Sequence, residues 1–281
     1  WEMCIRDSAR IARDNGHTKV LCQIDNVEPH EHHLTDKPFN RYYLHSVDGF
    51  VYMSEQVHSE LRAYSDAPAL FSPHPLFENF GERVERSEAC VRLGLDPANR
   101  YVLFFGLIRD YKGLDLLLDA WAQLRRAGRT EGRRLIVAGE FYTAREPYLN
   151  RIADNGLQDE VLLHDRFIPD DDVKYYFSAA DFVVQPYKTA TQSGVTQIAY
   201  QFCVPMVVTK VGGLAEIVPD GRVGYVCEPT PEGVAGAIER MYEGDTLQRF
   251  RENCVEERRR FSWEEMCSRI TELYGLVASG K

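Results

Sequence analysis

Residues 101–140 read YVLFFGLIRDYKGLDLLLDAWAQLRRAGRTEGRRLIVAGE, and this stretch decides the fold. Tyr101–Phe105 is an unbroken apolar run of strand length. Leu114–Leu124 follows with Leu116, Leu117, Ala120, Trp121 and Leu124 on one helical face, and Leu135–Ala138 is a second apolar run. Strands apolar on both faces and separated by a helix belong to a parallel sheet covered on both sides. Working outward, Val161–Leu163, Phe182–Gln185, Met206–Thr209 and Gly224–Val226 repeat the pattern, with helices between them. Upstream, Glu82–Gly94 reads as a polar helix stopped by its glycine, and Ser72-Pro73-His74-Pro75 as a linker. Before it come strands at Thr18–Ile24 and Gly49–Met53, a helix at Pro38–His45, and a capped helix at Ser54–Tyr64. The fold class is α/β, with two doubly wound blocks. The first supplies only about two strands where such a block takes about five or six.

Composition narrows the function. The chain has 281 residues, 44% hydrophobic, and 33 Lys and Arg stand against 43 Asp and Glu, a net charge of −10. That balance argues against general nucleic-acid or anionic-membrane binding, but leaves room for a local basic pocket. No apolar run reaches membrane-spanning length and no signal-peptide core opens the chain, which reads as cytoplasmic. Seven cysteines without a C-x-x-C pair fit free or buried thiols. Met3–Ser8 back-translates to a transposon adapter used in DNA library preparation, so residues 1–8 read as the edge of a fragmentary, metagenomic gene.

In open α/β sheets ligands collect beyond the carboxyl ends of the strands. Three loops lie there. Gly106–Gly113 places Arg109 and Lys112 before a helix, which suits a diphosphate or equally a solvated loop. Tyr187–Gly194 is small and hydroxyl-rich, fit for a phosphate at a helix start or for an ordinary N-cap by Ser193 or Thr191. The third, around Gly212 and Gly213, permits close approach of a ligand or simply a tight turn.

The stretches FFGLIRDYKGLDLLLDAW, LIVAGE, DRFIPDDDVKYYFSAADFVVQPY and QIAYQFCVPMVVTKVGGLAEIVPDGRVGYV together resemble the donor-binding half of a retaining glycosyltransferase. The family is the GT-B group of family four, glycosyl transferases group 1. The resemblance runs from Tyr101 to the C-terminus, and more loosely over Val20–Pro75. It implies two Rossmann-like domains, the first incomplete. Residues 9–86 would be the acceptor-side remnant, 87–262 the donor domain, and 263–281 a helix packing back toward the first.

The family's G-R-L-x-x-x-K-G is matched at Gly106, Lys112 and Gly113, with Leu107 at the arginine position and Arg109 as its substitute. Lys112 and Arg109 would act on the donor diphosphate. The two glutamates of E-x-F-G-x-x-x-x-E-A fall on Ala190 and Ile198, so Gln192, Ser193, Gly194 and Gln197 are left to make polar contacts. Glu140, Phe167, Ile168, Gly212, Gly213 and Glu216 complete the implied donor pocket, the two residues after Arg166 beside the nucleobase. Asp25–Glu31 resembles H-N-x-x-P-H-E, with Asn26, His30 and Glu31 on the acceptor side.

The implied co-substrate is a nucleotide-diphosphate sugar and the acceptor a glycan, a lipid-linked sugar or a small molecule. No cofactor, required metal or nucleic acid is implied. His30, His32 and His33 with Glu31 form neither H-E-x-x-H nor a cysteine-based zinc pattern. Many relatives build polysaccharides on lipid carriers, which allows peripheral contact with the inner membrane face. Two other readings stay open: a sugar-nucleotide epimerase or hydrolase on the same fold, and a non-catalytic sugar-nucleotide-binding module.

Overall fold

A computed structural model describes residues 2–27, 36–190 and 192–279. The chain divides into two compact units: Leu76–Arg259, and the residues up to Pro75 joined by those from Arg260 onward.

The first unit in the chain holds α1 (Glu2–Asp14), β1 (Leu21–Ile24), α2 (Asp36–Leu44), β2 (Gly49–Tyr52), α3 (Glu55–Arg62) and β3 (Ala69–Phe71). The strands pair in parallel in the order β1-β2-β3. The sequence reading finds two of these strands. β3 escapes it because three half-buried residues just ahead of Pro73 are too short for a periodic signal. The expected cap on α3 is present, the Val57 N–H donating to Ser54 Oγ at 3.3 Å.

The second unit holds α4 (Arg86–Leu93), β4 (Arg100–Phe105), α5 (Leu114–Arg126), β5 (Arg133–Ala138), α6 (Glu146–Asp154), β6 (Val161–His164) and α7 (Asp170–Ala179). It continues through β7 (Phe182–Gln185), α8 (Gly194–Gln201), β8 (Met206–Thr209), α9 (Leu214–Ile217), β9 (Gly224–Cys227), α10 (Pro231–Met241) and α11 (Thr246–Glu257). All six strands are parallel, in the order β6-β5-β4-β7-β8-β9. The chain builds outward from β4 to β6, returns to lay β7 beside β4, and builds outward again. The strand order therefore reverses between β4 and β7, the crevice where such sheets hold ligands.

The core of this unit sets Val102 and Phe104 of β4 and Leu135 and Val137 of β5 with α5. The buried face of α5 is Leu117, Leu118, Ala120, Trp121 and Leu124; Leu116, expected there, is half-buried and Leu118 takes its place. Trp121 is fully buried and its indole N–H donates to Glu160 at 2.9 Å.

The last helix, α12 (Trp263–Ser279), belongs to the first unit. Its Met266, Leu273 and Val277 pack with Val51 and Met53. Trp263 and Tyr274 are about half exposed, at 51% and 54%, because they lie off that stripe. The units also part at residue 75 rather than 86. The segment after Pro75 is tied to the second unit: the Val84 N–H donates to Ser178 Oγ at 3.1 Å and Arg83 donates to the Phe202 carbonyl at 3.3 Å.

Trp121→Ala should destabilise the second unit by about 3–5 kcal/mol, through lost burial and the cavity left behind. Urea denaturation of the variant against the parent chain reads this directly.

Candidate active site

The loops after β4 and β7 meet at the reversal point. Gly113 has φ +69°, and a Cβ there would fall 1.9 Å from the Pro186 carbonyl oxygen. Only glycine lets the two backbones approach this closely. The Lys188 N–H donates to the Tyr111 carbonyl at 2.7 Å, and the Tyr111 and Tyr187 rings meet edge to face. A second close approach joins the loops after β4 and β5. Gly139, at φ +148°, would place a Cβ 2.1 Å from the Gly106 carbonyl oxygen. The Ile108 N–H donates to the Glu140 carbonyl at 2.8 Å. Gly113 thus has a backbone-packing role, and Gly139, which the sequence reading passed over, has the same one.

Lys112 ends a 3-10 turn over Asp110–Lys112 and is half-buried. Its Nζ lies 5.7 Å from the Tyr187 ring centroid and within 3.2 Å of where a Gly106 Cβ would sit. No carboxylate forms an ion pair with it among the described residues. Asp110 instead accepts from Thr143 and Tyr148, and Asp115 is paired with Lys188 at 2.7 Å. Burial, and then the charge of Arg109, lower the Lys112 pKa to about 8. Arg109 itself is exposed and stacks over Tyr142, 5.2 Å from the ring centroid. An acidic chain thus keeps a desolvated ammonium beside a guanidinium, an arrangement that calls for an anion.

On the other side, Ser193 precedes α8 but its hydroxyl does not cap the helix. It is turned to the Tyr187 hydroxyl, 3.2 Å away, which overturns the N-cap reading for Ser193 and leaves the first amides of α8 unfilled by it. Thr191, the other N-cap candidate, lies outside the described residues. Tyr187 is buried, and burial raises its pKa well above the usual phenol value, so it is a neutral prop. A Cβ on Gly106 would lie 3.5 Å from Val195, so the β4 loop reaches the start of α8.

Three amides around this loop have unpaired atoms: Gln185 Nε2, Gln192 Nε2 and Gln197 Oε1. Gln185 and Gln197 are buried, and the Thr196 hydroxyl donates to Gln185 Oε1 at 3.1 Å. Ile198, at a position where the resemblance expects a glutamate, is buried and apolar.

The structure thus brings Gly106, Lys112, Gly113, Ser193 and Gly194 into one connected cluster, with Arg109 at its side. Glu140 joins it through its backbone, while its side chain is exposed. Phe167, Ile168, Gly212 and Gly213 stand on the loops after β6 and β8, and Glu216 in α9 just beyond the latter, at the same edge of the sheet. Phe167 is 65% exposed and Ile168 is 7% exposed, so the pair, read together from sequence, part in environment. Asn26 is exposed after β1 in the other unit, and His30 and Glu31 lie outside the described residues. Tyr187, Gln185 and Thr209, whose hydroxyl donates to the Tyr187 carbonyl at 2.6 Å, went unnoticed because nothing local in the sequence marks a residue that braces a loop. No group of His, Cys, Asp and Glu arranged to hold a metal occurs among the described residues.

Residues 99–244 match the family model for glycosyl transferases group 1. The chain belongs to the glycosyl transferases group 1 family. It is 31% identical over 245 residues to D-inositol 3-phosphate glycosyltransferase 2 of Catenulispora acidiphila, covering 82% of this chain and 56% of that protein. The chain spans about half the length of the curated relatives it matches. Among solved structures it resembles sucrose-phosphate synthase from Thermosynechococcus elongatus, with TM-score 0.78, 20% identity, and 96% of this chain and 70% of that one covered. It also resembles Anabaena HepE in complex with UDP, with TM-score 0.79, 18% identity, and 98% and 77% covered. These likenesses show the GT-B fold.

Two outcomes follow from the site of this family member. The Lys112 pKa is lower folded than its ordinary 10.5, so the unfolded chain holds more protons between about pH 8 and 10.5. Stability should therefore rise across that window, while affinity for inorganic pyrophosphate, which needs the charged form, should fall about tenfold per pH unit above 8. Calorimetric titration at pH 7, 8, 9 and 10 checks it. Gly139→Ala should cost at least about 3 kcal/mol, whereas Gly128→Ala, at φ +70° with nothing near its Cβ, should cost about 1 kcal/mol in urea denaturation.

Proposed function

We propose that the second unit binds a nucleotide-diphosphate sugar and that the protein transfers the sugar to an acceptor hydroxyl with retention at the anomeric carbon. The observation that carries this is Lys112: a desolvated cation with no carboxylate partner among the described residues, held at the reversal point of the sheet beside the start of α8, which the Ser193 side chain leaves uncapped. HepE was solved with UDP bound, which supports a nucleoside diphosphate as the ligand class.

When the bond between the anomeric carbon and the diphosphate oxygen breaks, negative charge grows on that oxygen. Lys112, Arg109 and the backbone N–H groups of Ser193 and Gly194 stabilise it, and fixed donors in a water-poor site need no reorganisation to do so. The departing phosphate oxygen accepts the proton of the attacking acceptor hydroxyl, so no separate base and no metal are needed. Gln192 and Gln197 offer neutral amides to the donor's hydroxyls where relatives are expected to use carboxylates. Gly106, Gly113, Gly212 and Gly213 let backbone approach the ligand, and Glu140, Phe167, Ile168 and Glu216 close the donor pocket. Asn26, His30 and Glu31 are assigned to a glycan, lipid-linked or small-molecule acceptor. No helix among the described residues is long and apolar enough to cross a membrane. We place the protein in the cytoplasm, with contact at the inner membrane face where the acceptor is lipid-linked.

Calorimetric titration of this chain with UDP, GDP and ADP and their sugar conjugates tests the proposal. One nucleotide should bind preferentially, and Lys112→Ala should weaken it about tenfold to a hundredfold, the loss of one charge-assisted contact. Absence of heat with all three nucleotides, or binding indifferent to Lys112→Ala, overturns it.

A further inference from the structure

A second polar site lies at the opposite edge of the same sheet. A cavity of about 260 Å³ is lined by Arg100, Asp181, Tyr242, Asp245, Gln248 and Arg251, with Met241, Gly244 and Leu247. Arg100 opens β4 and Asp181 immediately precedes β7, so the cavity sits at the amino ends of the strands whose carboxyl ends carry the Lys112 site.

The lining balances two arginines against two acids, and further arginines surround it. Arg100 and Arg251 both reach Asp181, at 3.4 and 3.9 Å, and Asp181 also accepts from the Tyr101 N–H at 2.9 Å. Its carboxylate is thereby fully engaged. Arg133, at the start of β5, stacks on the Tyr242 ring at 4.0 Å from its centroid. Arg83 and Arg86 lie near enough that, after burial, their charges help to lower the Arg251 pKa. Asp245, the other acid on the wall, is largely exposed and faces Arg249 at 3.6 Å.

Two donors at the wall have no acceptor, the Tyr242 hydroxyl and Arg251 Nε, and Arg133 has a buried guanidinium nitrogen in the same condition. Buried donors of this kind normally find partners, so each marks a missing acceptor. α11 begins at the cavity with twelve residues, and Asp245 does not cap it with its side chain. Its first-turn amides and positive dipole end add to the excess of donors.

We propose that this cavity is an oxyanion site for phosphate or a small phosphomonoester, held by Arg100, Arg251, the Tyr242 hydroxyl and the first turn of α11. Such a ligand supplies only acceptors and negative charge, which is what the unpartnered donors and the surrounding arginines call for. Because it stands at the other edge of the sheet, it does not compete with the diphosphate assigned to Lys112. Occupancy stabilises the second unit by linkage alone, since the ligand binds only the folded chain.

The test titrates the chain with inorganic phosphate, and separately with glycerol phosphate, by calorimetry and melting temperature. It is run in the Lys112→Ala background so that the contribution of the donor site is weakened. Saturable binding with a rise in melting temperature is expected. Arg100→Gln should weaken it at least tenfold and Tyr242→Phe about fivefold, roughly one charged and one neutral hydrogen bond. Neither variant threatens the fold: the Arg100 side chain is 61% exposed, and Tyr242→Phe keeps the ring contacts with Phe182 and Arg133. Binding of both ligands, or of inorganic phosphate alone, supports the site and distinguishes its size. No binding in the Lys112→Ala chain, or binding that neither Arg100→Gln nor Tyr242→Phe alters, overturns it. Loss of nucleotide binding by the parent chain would count against the donor reading and leave this result untouched.

Discussion

The constraint on which the site depends is the contact of two backbones at the reversal point, where the Pro186 carbonyl occupies the space a side chain on Gly113 would need. The contact locks the loop after β4 to the loop after β7. Because the first loop carries Lys112 and the second leads into α8, a cation and a helix start are held face to face without touching. Tyr187 completes the brace. Its ring lies below the Lys112 ammonium, its hydroxyl meets Ser193, and its carbonyl is held by Thr209. Lys112 is braced by the loop after β7 and Tyr187 by Thr209 at the end of β8, so the site is a property of the sheet edge as a whole.

Lys112 shows how such a site trades stability for function. A half-buried ammonium without a counter-charge is unfavourable in the free protein, and its pKa is lowered for that reason. Several other cations are paired: Arg151 with Asp119, Lys188 with Asp115, Arg222 with Glu256 and Glu257. Burial also strengthens the attraction of Lys112 for an incoming anion, because water no longer competes for it.

Much of the architecture was readable from residues alone. Phe182–Gln185 and Met206–Thr209 coincide with β7 and β8, because continuous apolar runs bounded by polar turns have few other interpretations. Gly94 ends α4 in the left-handed conformation expected of it. β3 was lost to its brevity. The charge run Glu256–Arg260 is partly engaged: Glu257 is nearly buried against Arg222 and Arg258 donates to the Gln201 carbonyl. The long side chains could not reveal this, since their partners lie some 35 to 57 residues away in the chain.

Sequence by itself determined the alternation of strands and helices, hence the parallel sheet, and it placed glycines and cations in the loops where such sheets bind ligands. Those features depend on local periodicity and on neighbours within a turn or two. Tertiary structure alone decided that the β4 and β7 loops are the pair at the reversal point, that Ser193 serves Tyr187 rather than α8, and that Lys112 is left without a carboxylate. It likewise decided that Arg100, Arg251 and Tyr242, far apart in the chain, surround one cavity. The physical reason is common to all of these: partner, burial and charge balance arise from contacts between distant segments, and those contacts exist only once the sheet has formed.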